Sequence, residues 1–206
     1  MLSEPMSCAE AFAWLDQSDA GKDVLKHYLG PQRQYHNLLH ITEMKEHLLA
    51  AEAEGVPIAD GLAAAVFVYW HDAIYITQAP HTSNEKSSAQ MCKFALTTLV
   101  HPFSINRACE AILATISHQP PDAKLSPDAP LLLDCDLAIL GATPERFAEY
   151  DDAIRREYWH VPERLFREKR REVLKGFYER EHIYFTPWAR QRWDAQARIN
   201  LKAAIQ

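Results

Sequence analysis

Residues 61–72 read Gly-Leu-Ala-Ala-Ala-Val-Phe-Val-Tyr-Trp-His-Asp. The part from residue 61 to residue 70 contains no charged side chain, and this composition is typical of a helix that is buried on most sides rather than along one stripe. His71 and Asp72 follow directly, so the helix delivers an imidazole and a carboxylate at its end. Adjacent residues cannot share one helix face, but at a frayed helix end both side chains can turn toward one ion.

The rest of the chain is predicted to be helical as well. Apolar positions recur three and four residues apart, and alternating runs long enough for strands are missing. Caps and breakers divide the pattern into helices at residues 10–15, 24–29, 35–53, 61–70, 83–100, 105–118, 131–140, 143–159, 162–180 and 187–205. The sequence therefore predicts an all-α fold and, because no linker or repeat divides it, one domain over residues 1–206.

Composition and charge argue against several classes of protein. Hydrophobic residues make up 48% of the chain and charged residues 24%, as in ordinary globular domains. A formal charge of −6 argues against a protein that coats nucleic acid. The N-terminus shows no secretory signal pattern, and no apolar run approaches the roughly 18 residues of a membrane span, so we expect a cytoplasmic protein. The four cysteines form no CxxC pair, and we expect reduced, buried thiols.

Histidines and aspartates in three segments carry the chemistry of this sequence. The segments are Tyr35-His36-Asn37-Leu38-Leu39-His40, Tyr69-Trp70-His71-Asp72-Ala73 and Leu133-Asp134-Cys135-Asp136-Leu137. His36 and His40 are four residues apart in a predicted helix and are expected to project from one face. Two aspartates in an apolar segment are costly to bury unless a cation or hydrogen bonds compensate their charge.

These residue types indicate a site for a divalent transition metal. Imidazole nitrogens and carboxylate oxygens together suit Mn, Fe, Co, Ni or Zn, with Mg²⁺ as an alternative, and several ligands are needed to hold one ion. Different helices of a bundle can supply them. The expected ligands are His40, His71, Asp72 and one aspartate of the Asp134/Asp136 pair.

Longer motifs extend these segments. They are Tyr-His-Asn-x-x-His at 35–40, two aromatic residues before His-Asp-x-x-Tyr at 69–75, Asn-Glu-x-x-Ser-Ala at 84–89 and Asp-x-Asp-Leu-x-x-Leu-Gly at 134–141. Together they resemble the HD superfamily, in particular its branch of metal-dependent phosphohydrolases, and the matches run from Arg33 to Asn200. The pair Tyr69-Trp70 departs from the Trp-Phe more frequent in relatives, which affects packing rather than ligands. The resemblance implies a compact HD-domain helical bundle.

The resemblance also implies roles for individual residues. By similarity to cyclic-nucleotide phosphodiesterases, His36 is the general acid and His40 a metal ligand. Relatives with an Asp-x-Asp segment use the second aspartate as a ligand, which favours Asp136. Asp134 then supports the ligands in catalysis or is an alternative ligand. Some HD proteins hold a second metal through extra histidines, and His118 is the main candidate for such a ligand here.

Hydrolysis of a phosphate ester is the expected reaction. A water molecule activated by the metal would attack phosphorus while the metal polarises a phosphoryl oxygen. Glu85 is expected to orient that water or take its proton, although a carboxylate in a first helical turn is also favoured by the helix dipole. Arg155 is expected to clamp phosphate or to pair with a glutamate. The candidate substrate-binding residues are Arg33, Asn37, Asn84, Lys86 and Arg155.

The expected substrate is a small phosphorylated metabolite, with a nucleotide favoured by the resemblance. Two other functions remain open. A second metal, held by His118 or by the weaker candidate His81, would allow a di-iron oxygenase on the same scaffold. A regulatory module could instead bind a nucleotide without turning it over. The tryptophans at positions 159, 188 and 193 are expected to anchor the last helices or to form a homodimer seam.

Overall fold

Helix α4 (Gly61–Trp70) is the central element of the fold. All 10 of its residues are buried, as the continuous apolar stretch predicts, and other helices pack around it. Asp60 caps its first turn by accepting a hydrogen bond from the Ala63 backbone N–H at 2.9 Å. The chain leaves the helix at His71, and Asp72 follows in the turn beyond it.

This computed structural model describes residues 6–78 and 83–206, and its regular structure is helical, which confirms the all-α prediction. His81 lies outside the described residues. One group of helices surrounds α4 and forms the larger hydrophobic core. These helices are α1 (Cys8–Gln17), α2 (Asp19–Lys26), α3 (Leu38–Ala53), α5 (Asn84–Leu96), α6 (Pro102–Ala114) and α7 (Ala129–Asp136). The four cysteines are unpaired and buried in this core, as expected.

A second hydrophobic core forms where the chain continues beyond α7. Its elements are the 3₁₀ turn Leu137–Gly141, α8 (Pro144–Glu157), α9 (Glu163–Tyr178), α10 (Pro187–Ala189) and α11 (Ala195–Ala204), with a π-helical segment, Arg190–Asp194, before α11. Trp188 packs against both cores. Gly141 lets the 3₁₀ turn approach Trp193 closely, because a Cβ at position 141 would lie 2.5 Å from the Trp193 Cβ.

Most predicted helices are present with shifted ends, and one shift matters for the site. Helix α3 begins at Leu38 and not at residue 35, because the Asn37 side chain accepts a hydrogen bond from the Leu39 N–H at 2.8 Å and caps the helix. His36 therefore lies in the segment before α3. The prediction that His36 and His40 project from one helix face is wrong.

Two other predicted helices are interrupted. The helix expected at 131–140 divides into α7 and the following 3₁₀ turn, and the one expected at 187–205 contains the π-helical segment. In the part of the chain that the structure describes, no helix combines the length and the apolar character needed to cross a bilayer.

Candidate metal centre

Three helices bring four of the expected metal ligands together. His40 lies in the first turn of α3, His71 and Asp72 follow α4, and Asp136 is the last residue of α7. Both imidazoles are buried, while the carboxylate side chains of Asp72 and Asp136 remain 16% and 12% exposed. We call these four residues the ligand cluster. The cluster sits inside the fold with its carboxylates open to a cavity.

The donor atoms of the ligand cluster converge on a small volume. His40 Nε2 lies 3.2 Å from His71 Nε2 and 3.2 Å from Asp136 Oδ1. His71 Nε2 lies 3.1 Å from Asp72 Oδ2 and 3.7 Å from Asp136 Oδ1. The distance from His40 Nε2 to Asp72 Oδ2 is 3.9 Å. Each imidazole nitrogen thus lies within 4 Å of both carboxylates.

This spacing fits a shared divalent cation. At a metal–ligand distance of about 2.1 Å, two ligand atoms lie about 3.0 Å apart at an octahedral angle and about 3.4 Å apart at a tetrahedral angle. The separations that involve the two imidazole nitrogens, from 3.1 to 3.9 Å, lie close to these values. One added proton would satisfy a single nitrogen–oxygen or nitrogen–nitrogen contact, whereas one cation would satisfy His40, His71 and Asp72 together. The donor set therefore fits the transition metals that the sequence analysis names.

The orientation of His71 supports this assignment. Its Nδ1 lies 3.1 Å from the Val68 carbonyl oxygen, and this contact requires a proton on Nδ1. In the neutral imidazole, Nε2 then presents a lone pair to the ligand cluster. Histidines that bind metals usually donate their second ring N–H in this way, because the hydrogen bond fixes the tautomer and the ring orientation.

The charges within the cluster lower the pKa of both carboxyl groups. Burial alone would raise the pKa of Asp72, but the charge of His71 lowers it well below its usual range. The effect of burial on the pKa of Asp136 is likewise outweighed by hydrogen bonds from His118 and His40. The pKa of His71 is raised to about 9, against the effect of burial, by Asp72 and Asp136. Both carboxylates are therefore ionised at neutral pH.

His118 reaches Asp136 from the other side. Its Nε2 lies 3.3 Å from Asp136 Oδ2. The backbone of His118 is left-handed, with φ of 46°, a conformation that costs a residue with a Cβ roughly 1–2 kcal/mol. Arg180 supports this turn by donating from Nη1 to the His118 carbonyl at 3.0 Å and from Nη2 to the Ser117 carbonyl at 3.1 Å. The structure thus brings His118 beside the ligand cluster.

His36 lies at the edge of the ligand cluster and pairs with Glu157 of α8. Its Nδ1 lies 2.7 Å from Glu157 Oε2, and its Nε2 lies 3.9 Å from Asp72 Oδ2. The ring stacks on Tyr75 with centroids 3.8 Å apart. Burial would raise the pKa of Glu157, but the hydrogen bond and charge of His36 lower it. The pair orients the imidazole so that Nε2 faces the cavity.

Glu157 is a site residue that sequence reasoning missed. Besides its contact with the ring, its Oε1 accepts hydrogen bonds from the backbone N–H groups of Tyr35 and His36 at 2.8 and 2.9 Å. Its side chain is nearly fully buried. A glutamate near the end of an amphipathic helix is ordinarily solvent-exposed, so the sequence alone offered no sign of this contact across 121 residues.

Arg33 joins the two histidine segments rather than facing the cavity. Its Nη1 donates to the carbonyls of His36 and Asp72 at 3.1 and 2.7 Å, and Nη2 donates to the Ala73 carbonyl at 2.9 Å. The side chain is buried. The structure therefore gives Arg33 a positioning role, in contrast to the predicted contact with substrate.

Asp134 is not part of the ligand cluster, contrary to its predicted catalytic role. Its carboxylate accepts hydrogen bonds from the backbone N–H of Phe185 at 2.7 Å and from the N–H and hydroxyl of Thr186 at 2.8 and 2.6 Å. Residues 134 and 136 of a helix point in different directions, so only Asp136 of the two faces the histidines of the ligand cluster. Asp134 holds the segment before α10 against α7.

Asn37 and Asn84, which were predicted to bind substrate, form hydrogen bonds with backbone groups. Asn37 caps α3 and also donates to the Gln34 carbonyl at 2.9 Å. Asn84 lines the cavity, but its Oδ1 accepts a hydrogen bond from the Ile76 N–H at 3.0 Å. Both side chains shape the loops around the site.

Of the charged residues predicted to act in catalysis or substrate binding, some line the cavity and others do not. Glu85 lines the cavity, where it accepts a hydrogen bond from the Ser83 hydroxyl. Lys86 is exposed and lies outside the cavity lining. Arg155 donates to the Glu163 carboxylate at 2.7 Å and to the Tyr158 carbonyl at 2.7 Å, so it closes the connection between α8 and α9 instead of reaching the cavity.

A cavity of about 850 Å³ opens over the ligand cluster. Asp72, Asp136, His36 and His118 line one part of it, and residues of α9 line another. This volume lies within the range of small-molecule sites, roughly 300–1,000 Å³. Comparison of the chain with models of protein families, with curated proteins and with solved structures finds no match.

Proposed function

We propose that this protein is a metal-dependent phosphohydrolase of the HD type that acts on a small phosphorylated metabolite, with a nucleotide as the leading candidate. The observation that carries this proposal is the ligand cluster at the wall of a cavity, with the His36–Glu157 pair beside it. A site for a divalent cation next to an oriented imidazole is suited to hydrolysis of a phosphate ester.

The ligands in this proposal are His40, His71 and Asp72, whose donor atoms lie within 4.8 Å of one another, and Asp136, whose Oδ1 lies 3.2 Å from His40 Nε2. When bound, a divalent cation would lower the pKa of a water molecule and polarise a phosphoryl oxygen. The four side chains would set the charge and the geometry of that site, and His40 and His71 are shielded from bulk water by burial.

The protein's own groups move two protons in this reaction. Water oxygen bonds to phosphorus as the bond from phosphorus to the ester oxygen breaks. Glu85, which lines the cavity, accepts the proton that the water loses. His36 donates a proton from Nε2 to the leaving oxygen, and Glu157 stabilises the charged ring before the transfer. The products are phosphate and an alcohol.

A di-iron oxygenase is the second candidate. The observation that favours it is Asp136, whose two oxygens face different histidines, His40 on one side and His118 on the other. A carboxylate placed in this way can bridge two ions. The metal count per chain separates this candidate from a phosphohydrolase with one ion.

The test begins with metal content. We would purify the protein without added metal, determine metal per chain by elemental analysis, and assay phosphate release from nucleotides and simple phosphate esters with Mn²⁺, Co²⁺, Ni²⁺ and Mg²⁺. His40→Ala and Asp136→Ala are expected to lose both metal and activity. His182→Ala is the matched control, because its ring is half exposed and its carboxylate neighbour is 4.0 Å away.

The outcomes separate the candidate functions. One metal per chain, with phosphate release lost in both ligand variants and kept in the control, supports the phosphohydrolase. Two irons per chain with oxygen consumption and no phosphate release would support the oxygenase. Bound metal and saturable nucleotide binding without turnover would support a regulatory module. Absence of both bound metal and metal-dependent phosphate release would overturn the proposal.

A further inference from the structure

Helix α9 presents apolar side chains to the cavity, and the described chain covers these side chains only in part. The helix buries only Leu174. Phe166, Val173 and Phe177 recur at helical spacing and line the cavity together with Leu165. Val173 is 52% exposed and Leu165 is 45% exposed, although both face the same cavity as the ligand cluster. An apolar wall that continues from a polar reaction site is typical of a pocket for the organic part of a small molecule.

Gly176 leaves this wall open. It lies between Val173 and Phe177 in the cavity lining, and a Cβ built on it meets nothing within 4 Å. Glycine in the interior of a helix costs stability relative to alanine, and no close packing here requires it. The missing side chain therefore keeps space free beside the two apolar residues.

The charges in the cavity argue against a second or third phosphate group. Among the described residues that line it, Lys169 donates to Glu172 at 2.8 Å and Arg170 donates to Asp151 at 2.8 Å. The guanidinium of Arg180 is occupied by backbone carbonyls. Each of these cations already has a protein partner. Glu85 adds negative charge to the lining, which repels further phosphates.

We propose that the cavity takes a phosphate monoester whose organic group is bulky and nonpolar, with that group against the Phe166–Phe177 side of α9 and the phosphate at the ligand cluster. This inference rests on the proposed function, because it assigns the phosphate to the same site. It narrows the substrate class from phosphorylated metabolites, nucleotides included, to monoesters with an apolar group, so nucleoside triphosphates become disfavoured substrates, and it makes Gly176 a determinant of specificity.

The test compares two monoesters on variants of one helix. 1-Naphthyl phosphate carries a bulky apolar group, and glycerol 3-phosphate carries a small polar one. Gly176→Leu fills the open space, Gly176→Ala adds a single methyl group, and Glu168→Leu adds the same side chain on an exposed part of α9 outside the cavity. Circular dichroism and melting temperature check that all three variants fold.

We expect wild-type kcat/KM to be at least tenfold higher for 1-naphthyl phosphate than for glycerol 3-phosphate. Gly176→Leu should lower kcat/KM for 1-naphthyl phosphate at least tenfold and change that for glycerol 3-phosphate less than twofold. Glu168→Leu should stay within twofold of wild type on both esters, and Gly176→Ala should lower kcat/KM for 1-naphthyl phosphate less than Gly176→Leu does. Equal loss on both esters in Gly176→Leu, no loss on either, or a preference for ATP over 1-naphthyl phosphate would overturn the proposal.

A direct measurement of ligand binding distinguishes failure of this inference from failure of the proposed function. If no ester is hydrolysed with any metal, the phosphohydrolase fails, and fluorescence titration with 1-naphthyl phosphate then tests the cavity by itself. Saturable binding to wild type that weakens at least tenfold in Gly176→Leu supports the cavity assignment. Absence of binding overturns it, as does a wild-type dimer that Gly176→Leu converts to monomer, because a second copy would then cover the face of α9.

Discussion

Glu157 uses both of its carboxylate oxygens to hold one short segment of the chain. Oε1 accepts hydrogen bonds from two backbone N–H groups, and Oε2 pairs with the His36 ring. Because the ring is fixed from its Nδ1 side, its Nε2 is directed toward the cavity. A buried carboxylate that orients a histidine in this way supports catalysis without touching the substrate.

Replacing Glu157 with glutamine tests this positioning role. The amide keeps an oxygen for the backbone N–H groups but loses the negative charge that stabilises a protonated His36. We expect kcat to fall by about 10–100-fold while the metal content per chain stays unchanged. Steady-state kinetics and elemental analysis measure the two quantities. Glu168→Gln, at an exposed position of α9, is the control. A parallel loss of metal would show that Glu157 acts on the ligand cluster instead.

The left-handed backbone at His118 predicts which of two substitutions at this position is more stable. Glycine adopts a φ of 46° without the penalty that a Cβ brings, so His118→Gly should be more stable than His118→Ala by about 1 kcal/mol. Urea unfolding of the two variants measures the difference. The same pair of substitutions at Glu168, inside α9, should give the opposite order, because alanine is favoured in a helix by about 1 kcal/mol. An alanine variant as stable as the glycine variant at position 118 would contradict the strained backbone.

The sequence predicted which side chains form the ligand cluster better than it predicted the residues that position them. His40, His71, Asp72 and Asp136 stand in short motifs whose residue types already suit a metal. Arg33 and Glu157 were misread or missed because their partners are backbone groups and a ring brought together only by tertiary packing. A sequence shows which side chains are able to bind a metal, but it does not show which backbone groups a side chain will contact in the fold.

At the scale of elements, Asp134 ties α7 to the segment that leads into α10. Three donors of Phe185 and Thr186 surround its carboxylate. Burial nevertheless raises the pKa of Asp134 to about 6, against the effect of these hydrogen bonds and of Arg190. A group that titrates in this range makes the attachment of the last helices sensitive to pH.

The sign of that pH dependence follows from the direction of the shift. An aspartate in the unfolded chain has a pKa near 3.9, so between about pH 4 and pH 6 the folded state binds more protons at Asp134 than the unfolded state does. The free energy of unfolding should therefore decrease as pH rises through this window, by about 3 kcal/mol at most. Urea unfolding at several pH values should show that Asp134→Asn lacks this contribution. An identical pH profile in the variant would contradict it.

The boundaries of α4 and α3 show which helix ends could be predicted from the sequence and which could not. The buried stretch of α4 begins after Asp60 and its end was predicted correctly, because its composition changes sharply on both sides. The start of α3 was misplaced because residues 35–37 continue the apolar and polar spacing of a helix, whereas the Asn37 side chain competes for the helix backbone and sets the boundary two residues later than His36. Local hydrogen bonds of this kind do not change the spacing of apolar residues in the sequence, so that spacing cannot predict them.

At the scale of the whole molecule, the two hydrophobic cores meet at the ligand cluster. His40 and His71 come from helices of the first core, and Asp136 stands where α7 passes into the 3₁₀ turn of the second. Glu157 adds a contact from α8. The all-α class could be predicted from spacing alone, but this junction depends on how the helices pack and could not.

Metal binding should therefore stabilise the fold as a whole. The proposed ligands come from α3, the turn after α4, and α7, so the unfolded chain cannot present them together, and a cation at 100 times its Kd would add about 2.7 kcal/mol to the free energy of unfolding. For a chain of this size we expect the melting temperature to rise by about 5–10 °C between chelator and excess Mn²⁺. Calorimetry should show this rise in wild type and His182→Ala and its loss in His40→Ala. The same rise in His40→Ala would mean that the metal binds elsewhere.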